Sequence, residues 1–158
     1  MKKVLIALDY DPTAQKVAEE GFLVAKAMNA KVVLLHVIAD PEYYSSTKHV
    51  TIMGFAGSEE TVPVKLDIVD ELKEVAHKFL EKSKDLLGDK TIKVLLKEGD
   101  LAESILTAAK DEHADLIVMG SHGRKGSKRI IMGRVTKGVL QNTVRPLLII
   151  PTKKKDQP

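Results

Sequence analysis

The feature that most constrains the fold is the alternation of short apolar runs with amphipathic segments along the chain. Short runs that are apolar throughout are typical of strands buried on both faces of a sheet. The segments between them repeat apolar residues every three or four positions, which indicates helices with one packed face. Five runs that are wholly or largely apolar occur, at 4–8, 32–38, 91–96, 116–119 and 147–150; the second includes His36, and the third includes Thr91 and Lys93. This alternation predicts an α/β fold in which helices cover both faces of a doubly wound, five-stranded parallel sheet.

Turn and capping residues predict where the helices begin and end. Pro12 is expected in the first turn of the first helix, where its missing N–H costs nothing. Gly88 is expected to end a long helix over 64–87 as its C-cap. Asp100 and Glu103 resemble a capping box that opens the next helix.

Residues 39–63 show no periodicity and contain two prolines and two glycines. A loop of this length is unusual inside a compact domain and tends to be functional or mobile. Its Tyr43 and Tyr44 either pack on the edge of the sheet or cover a ligand.

Charge is distributed unevenly. Residues 1–115 contain 15 Lys and Arg against 21 Asp and Glu, a net of −6, whereas 116–155 contain 10 Lys and Arg and no acidic residue. The basic segment is either a solvated face or the surroundings of an anion site.

In a doubly wound sheet, ligands bind at the carboxyl ends of the strands where the strand order reverses. The first and fourth strands end at Asp9 and Gly120, which fixes the expected place of a site. A glycine-rich loop with Gly120, Gly123 and Gly126 follows the fourth strand and precedes a helix. Glycines let backbone amides turn towards a phosphate, and the start of the helix adds to this cradle. The alternative is a simple turn.

Composition excludes several other kinds of site. The chain has no cysteine, which excludes disulfides and thiol chemistry and is compatible with the cytoplasm. It has no tryptophan and only 4% aromatic residues, which argues against a base-stacking nucleic-acid surface. No apolar run approaches the ~20 residues that span a membrane, and the N-terminal run stops too early for a signal peptide.

His36 is expected to be packed rather than catalytic, and no general base or metal-ligand pattern is present, so we expect no dedicated enzyme.

At its glycine loop the chain resembles the universal stress protein family. The family pattern is glycine, two residues, glycine, nine residues, glycine, then Ser or Thr, and Gly120, Gly123 and Gly133 have this spacing. The resemblance spans the whole chain except the 39–63 loop. It implies a Rossmann-like, adenine nucleotide alpha hydrolase-like fold with strand order 3-2-1-4-5, and ATP, with Mg²⁺, as the ligand of a stress-response module.

The resemblance also implies which residues bind the nucleotide. Asp9 and the backbone of Val37 would lie at the adenine, and the glycine loop and the start of the following helix at ribose and phosphates. The full set is Ala7, Leu8, Asp9, Val37, Met119, Gly120, Ser121, His122, Gly123, Arg124, Gly126, Gly133, Arg134, Val135 and Thr136. From its position alone, Asp9 is equally a turn residue between strand and helix.

Arg134 departs from the family pattern, because it stands where Ser or Thr is expected. Its guanidinium contacts phosphate through two hydrogen bonds, fills the pocket, or points to solvent.

We expect one domain over residues 1–151 and a basic, disordered tail over 152–158. The family resemblance and the apolar run 147–150 imply a homodimer through the last strand, because an exposed apolar edge needs a cover. The competing function is a nucleotide-free dimeric scaffold that binds a protein partner through the basic face and the 39–63 loop. A third candidate function, contact with nucleic acid through the basic segment, has less support than ATP binding or the scaffold.

Overall fold

The computed structural model describes residues 2–39, 61–121 and 132–152, with side chains from residue 70 onwards in the second range. Strands and helices alternate along these residues. In chain order they are β1 (Lys3–Ala7), α1 (Ala14–Ala27), β2 (Lys31–Ala39), α2 (Thr61–Leu87), β3 (Lys93–Gly99), α3 (Leu101–Asp111), β4 (Leu116–Gly120), α4 (Arg134–Asn142) and β5 (Leu147–Ile150).

The five strands form one parallel sheet in the order β3-β2-β1-β4-β5. This confirms the predicted fold class and strand order. β1 lies at the centre, and eight consecutive residues of β2 are buried. The apolar runs are continuous because these strands are covered on both faces. β3 and β5 are the edge strands.

Two cores lie on opposite faces of the sheet, because successive strand residues point to opposite sides. In β1, Val4 and Ile6 belong to a first core with α1 and α2, while Leu5 belongs to a second core with α3 and α4. The helix that follows β1 therefore lies on one face, and the helix that follows β4 lies on the other.

The helix ends follow the expected chemistry with small shifts. Gly88 has a φ of +73° just after α2, and the Asp100 carboxylate accepts the Glu103 amide at 2.9 Å. α2 begins at Thr61 rather than at residue 64. Pro12 precedes α1 instead of lying in its first turn, because the Asp11 carboxylate accepts both the amide (2.8 Å) and the hydroxyl (2.6 Å) of Thr13.

β3 is displaced from its predicted position of 91–96. The Asp89 carboxylate accepts the Thr91 amide at 2.8 Å and its hydroxyl at 2.6 Å, which holds Thr91 in a turn. At the other end, β3 stays paired with β2 as far as Gly99, opposite Ala39.

The chain just after β5 packs against the end of β4. Thr152 is buried, and its amide donates to Ser121 Oγ at 3.0 Å. Residues 153–158 lie outside the described part of the chain.

Candidate functional site

The crevice between the carboxyl ends of β1 and β4 is the candidate site. These strands are neighbours, and the chain leaves them towards opposite faces of the sheet, into α1 after β1 and into α4 after β4. In open sheets of parallel strands, ligands bind at the carboxyl ends of two such neighbouring strands. The switch point is therefore where the sequence predicted it.

The end of β1 is held by β2. The Leu8 amide donates to Leu35 O at 2.8 Å, and the Leu8 carbonyl accepts a hydrogen bond from His36 Nδ1 at 2.7 Å. Asp9 follows with an exposed side chain, and its carboxylate accepts the Asp11 amide at 3.1 Å. The turn role considered for Asp9 is thus present.

The end of β4 is joined to the start of α4. The Gly133 amide donates to Ser121 O at 3.1 Å, and the Thr136 hydroxyl donates to Gly120 O at 3.0 Å. Thr136 is only 1% exposed, so its side chain acts as an internal tie. These two bonds fix the amino end of α4 at the edge of the crevice.

Gly120 is a glycine for a reason that sequence reasoning missed. A Cβ on Gly120 would lie 2.7 Å from Thr152 Cγ2 and 3.1 Å from Val17 Cγ2. Both neighbours are buried, so neither can easily move aside. The small size of Gly120 serves internal packing, and a threonine just beyond β5 gives no sequence signal of this contact.

Gly133 precedes α4 with φ −67° and ψ 164°, and among the residues that the structure describes no side chain caps the helix there. The unpaired amides at a helix start carry partial positive charge. Arg134, the first helical residue, is exposed, whereas Val135 packs against the second core. The helix start therefore presents amides and one guanidinium.

Three apolar residues of the predicted site have buried side chains. Leu8 is in the first core, and Val37 and Met119 are in the second. Only their backbone groups are suited to contact a ligand. Ala7 packs against the second core, and Ser121 is buried with its hydroxyl 3.2 Å from that of Thr152.

His36 is packed, as expected, but it has a role that sequence reasoning did not find. It is 4% exposed, and its ring centroid lies 4.4 Å from that of Tyr10 and 5.8 Å from that of Phe79. Burial lowers the pKa of His36 below its ordinary value of 6.5, although the bond to Leu8 and the charge of Asp9 oppose this. The imidazole is therefore neutral at pH 7 and bonded to the end of β1.

Part of the predicted site lies beyond what the structure describes. His122, Gly123, Arg124 and Gly126 fall there, as do Tyr43 and Tyr44. Within the described ranges, no three His, Cys, Asp or Glu residues are grouped to hold a metal ion. Of the helices described, none combines the length and apolarity that crossing a membrane requires.

Known proteins share this architecture. Universal stress protein MJ0577 of Methanocaldococcus jannaschii is 33% identical over 156 residues, with 96% of each chain covered. The solved structure of MJ0577 has a TM-score of 0.71 at 29% identity and covers 98% of both chains.

Two less similar structures share the fold and hold a nucleotide. A universal stress protein in complex with cAMP has a TM-score of 0.64 at 17% identity, covering 96% of this chain and 98% of that one. The universal stress protein of Archaeoglobus fulgidus in complex with dAMP has a TM-score of 0.60 at 15% identity, covering 94% and 97%. The sequence model of the universal stress protein family matches residues 1–151. With a family match of this extent and a relative of 33% identity along nearly its whole length, the chain belongs to the universal stress protein family.

Proposed function

We propose that this protein binds ATP in the crevice between β1 and β4 and acts as a stress-response regulatory module rather than as a dedicated enzyme. The observation that carries the proposal is the pair of hydrogen bonds that fixes the start of α4 to the end of β4. This arrangement brings helix amides to the switch point, where open parallel sheets bind ligands. The cAMP and dAMP complexes of the two structural relatives support adenine nucleotides as the ligand class.

Asp9 and Val37 suit the adenine and ribose end. The ladder between β1 and β2 ends at the pair Ala7 and Leu35, whereas β2 continues to Ala39. Backbone groups two residues apart in a strand point to the same side. The N–H and C=O of Val37 therefore point to the same side as those of Leu35, but at a level beyond the end of β1. A backbone donor and acceptor there, together with the Asp9 carboxylate two residues after the end of β1, match the polar edges of a nucleoside.

The start of α4 suits the phosphates. Its amides attract negative charge, and Arg134 adds a formal positive charge on an exposed side chain. The basic excess of residues 116–155 strengthens the positive field. Mg²⁺ that arrives with ATP would be held mainly by phosphate oxygens and water, because this helix start offers amides and a guanidinium rather than carboxylates.

One observation favours a dimer, which the second candidate function, a dimeric scaffold without nucleotide, requires. β5 is an edge strand, and three of its four apolar residues are only partly buried. Val144, three residues before β5, is 95% exposed. Such an edge is suited to pairing with a second copy, and dimerisation is compatible with either function.

Calorimetry with ATP tests the proposal through Gly133→Val. The backbone angles of Gly133 are open to any residue, so valine adds a branched side chain at the helix start without strain. We expect ATP affinity to fall at least about tenfold, equivalent to about 1.4 kcal/mol. Ala27→Val, at the exposed last position of α1, is the matched control and should bind as the wild type does.

Equal affinity in all three proteins would contradict the placement of the site. A wild type that binds no ATP but is dimeric in light scattering would instead favour the scaffold.

A further inference from the structure

We propose that His36 is a positioning residue that fixes Asp9 for the adenine end of the nucleotide; the inference rests on the proposed function. His36 lies on β2, directly before Val37, and reaches across to Leu8, the first residue after β1. It touches the chain on both sides of Asp9: it bonds to Leu8, and its ring packs against Tyr10.

The hydrogen bond defines the proton on His36. A carbonyl oxygen only accepts, so Nδ1 carries the hydrogen that it donates to Leu8 O at 2.7 Å. Burial disfavours the charged ring, and the neutral form with hydrogen on Nδ1 is the state that holds β1.

This bond sets the orientation of the peptide between Leu8 and Asp9. In a trans peptide the C=O and the following N–H point in opposite directions. The Leu8 carbonyl points to His36, on the β2 side, where the Leu8 amide is also bonded to Leu35. The Asp9 amide is therefore directed to the β4 side, towards the crevice.

The ring cluster prevents His36 from turning away. Phe79 of α2 lies 5.8 Å from the His36 ring and 5.1 Å from the Tyr10 ring, between centroids. With Tyr10 at 4.4 Å, each ring contacts the other two. Asp9 lies between Leu8 and Tyr10 in the chain. His36 therefore holds the backbone on both sides of Asp9, through its hydrogen bond to Leu8 and its ring contact with Tyr10.

The test compares His36→Phe with His36→Asn. Phenylalanine keeps an aromatic ring in the cluster but removes the donor, whereas the Asn amide nitrogen occupies nearly the place of Nδ1 and restores the donor. We expect His36→Phe to weaken both ATP and adenosine about 3- to 10-fold, the effect of one lost hydrogen bond. His36→Asn should bind within about 3-fold of the wild type. Thermal unfolding of each variant verifies that it is folded.

A second readout does not depend on nucleotide. The ¹⁵N chemical shift of the Asp9 amide responds to hydrogen bonding at the preceding carbonyl, so it should change in His36→Phe and return towards the wild-type value in His36→Asn. A His36→Phe protein with wild-type affinity and an unchanged Asp9 resonance would overturn the inference. If the Asp9 resonance changes in His36→Phe but the wild type binds neither ATP nor adenosine, then His36 does position Asp9 and the proposed nucleotide function is wrong.

Discussion

Replacing Gly120 with alanine should destabilise the protein through a single added methyl group. That methyl would meet Thr152 Cγ2 at 2.7 Å and Val17 Cγ2 at 3.1 Å, and carbon atoms do not approach to 2.7 Å without displacement. Thr152 cannot rotate freely, because its hydroxyl lies 3.2 Å from that of Ser121 and its amide is also bonded to Ser121. We therefore expect β4, α1 or the segment after β5 to shift.

Overpacking by one methyl group in a filled interior typically costs about 1–3 kcal/mol of unfolding free energy. In a domain of this size, each kcal/mol lowers the melting temperature by about 2–4 °C. Urea unfolding, followed by circular dichroism, should give a lower midpoint for Gly120→Ala with an unchanged slope.

Thr152→Ser is the matched test of this explanation. It removes the Cγ2 atom that the new methyl would strike, and it keeps the hydroxyl near Ser121. The double variant with Gly120→Ala should therefore lose less stability than the sum of the two single variants. Strict additivity, or a Gly120→Ala protein as stable as the wild type, would refute the packing role of Gly120.

Three further predictions test the site, the buried histidine and the edge strand. Arg134→Ala should weaken ATP binding by about 1.5–3 kcal/mol if Arg134 contacts phosphate, and should weaken AMP binding much less. The calorimetric control is Lys137→Ala, because Lys137 is exposed one turn further along α4. Tighter ATP binding by Arg134→Ala would identify the arginine as an obstruction. Folding lowers the pKa of His36, so its contribution to the free energy of unfolding is complete above about pH 6.5 and is lost as the pH falls through the folded pKa. Between pH 7.5 and 5.5, urea unfolding should therefore show a smaller loss of unfolding free energy for His36→Asn than for the wild type. Equal losses in the two proteins would contradict this. Ile149→Lys should give monomers in light scattering at tens of micromolar. Ile149 is chosen because Leu148 packs into the first core, so that replacing Leu148 would disturb the fold. A wild type that is monomeric at the same concentration would exclude the dimer.

Short-range patterns were sufficient to predict most of the fold. The apolar runs predicted the parallel sheet, and their alternation with helices predicted which strand ends would meet. Gly88 and Asp100 act through bonds to residues three or four positions away, so their roles are readable from the sequence. The predicted start of β3 was wrong because the Asp89 carboxylate holds Thr91 in a turn, and its predicted end was wrong because the pairing with β2 continues to Gly99.

The roles of the residues in the crevice depended on the tertiary structure. Gly120 fits the family spacing, yet its lack of a side chain is required by Thr152 and Val17, which lie far from it in sequence. His36 was expected to be packed, but its bond to Leu8 joins two strands and needs the register of β1 against β2. The sequence by itself determined the parallel sheet, because burial periodicity and chain connectivity are properties of consecutive residues, and the family resemblance supplied the order of its strands. Only the tertiary structure decided which atoms hold that crevice in shape, because those contacts join residues that the folding of the sheet brings together.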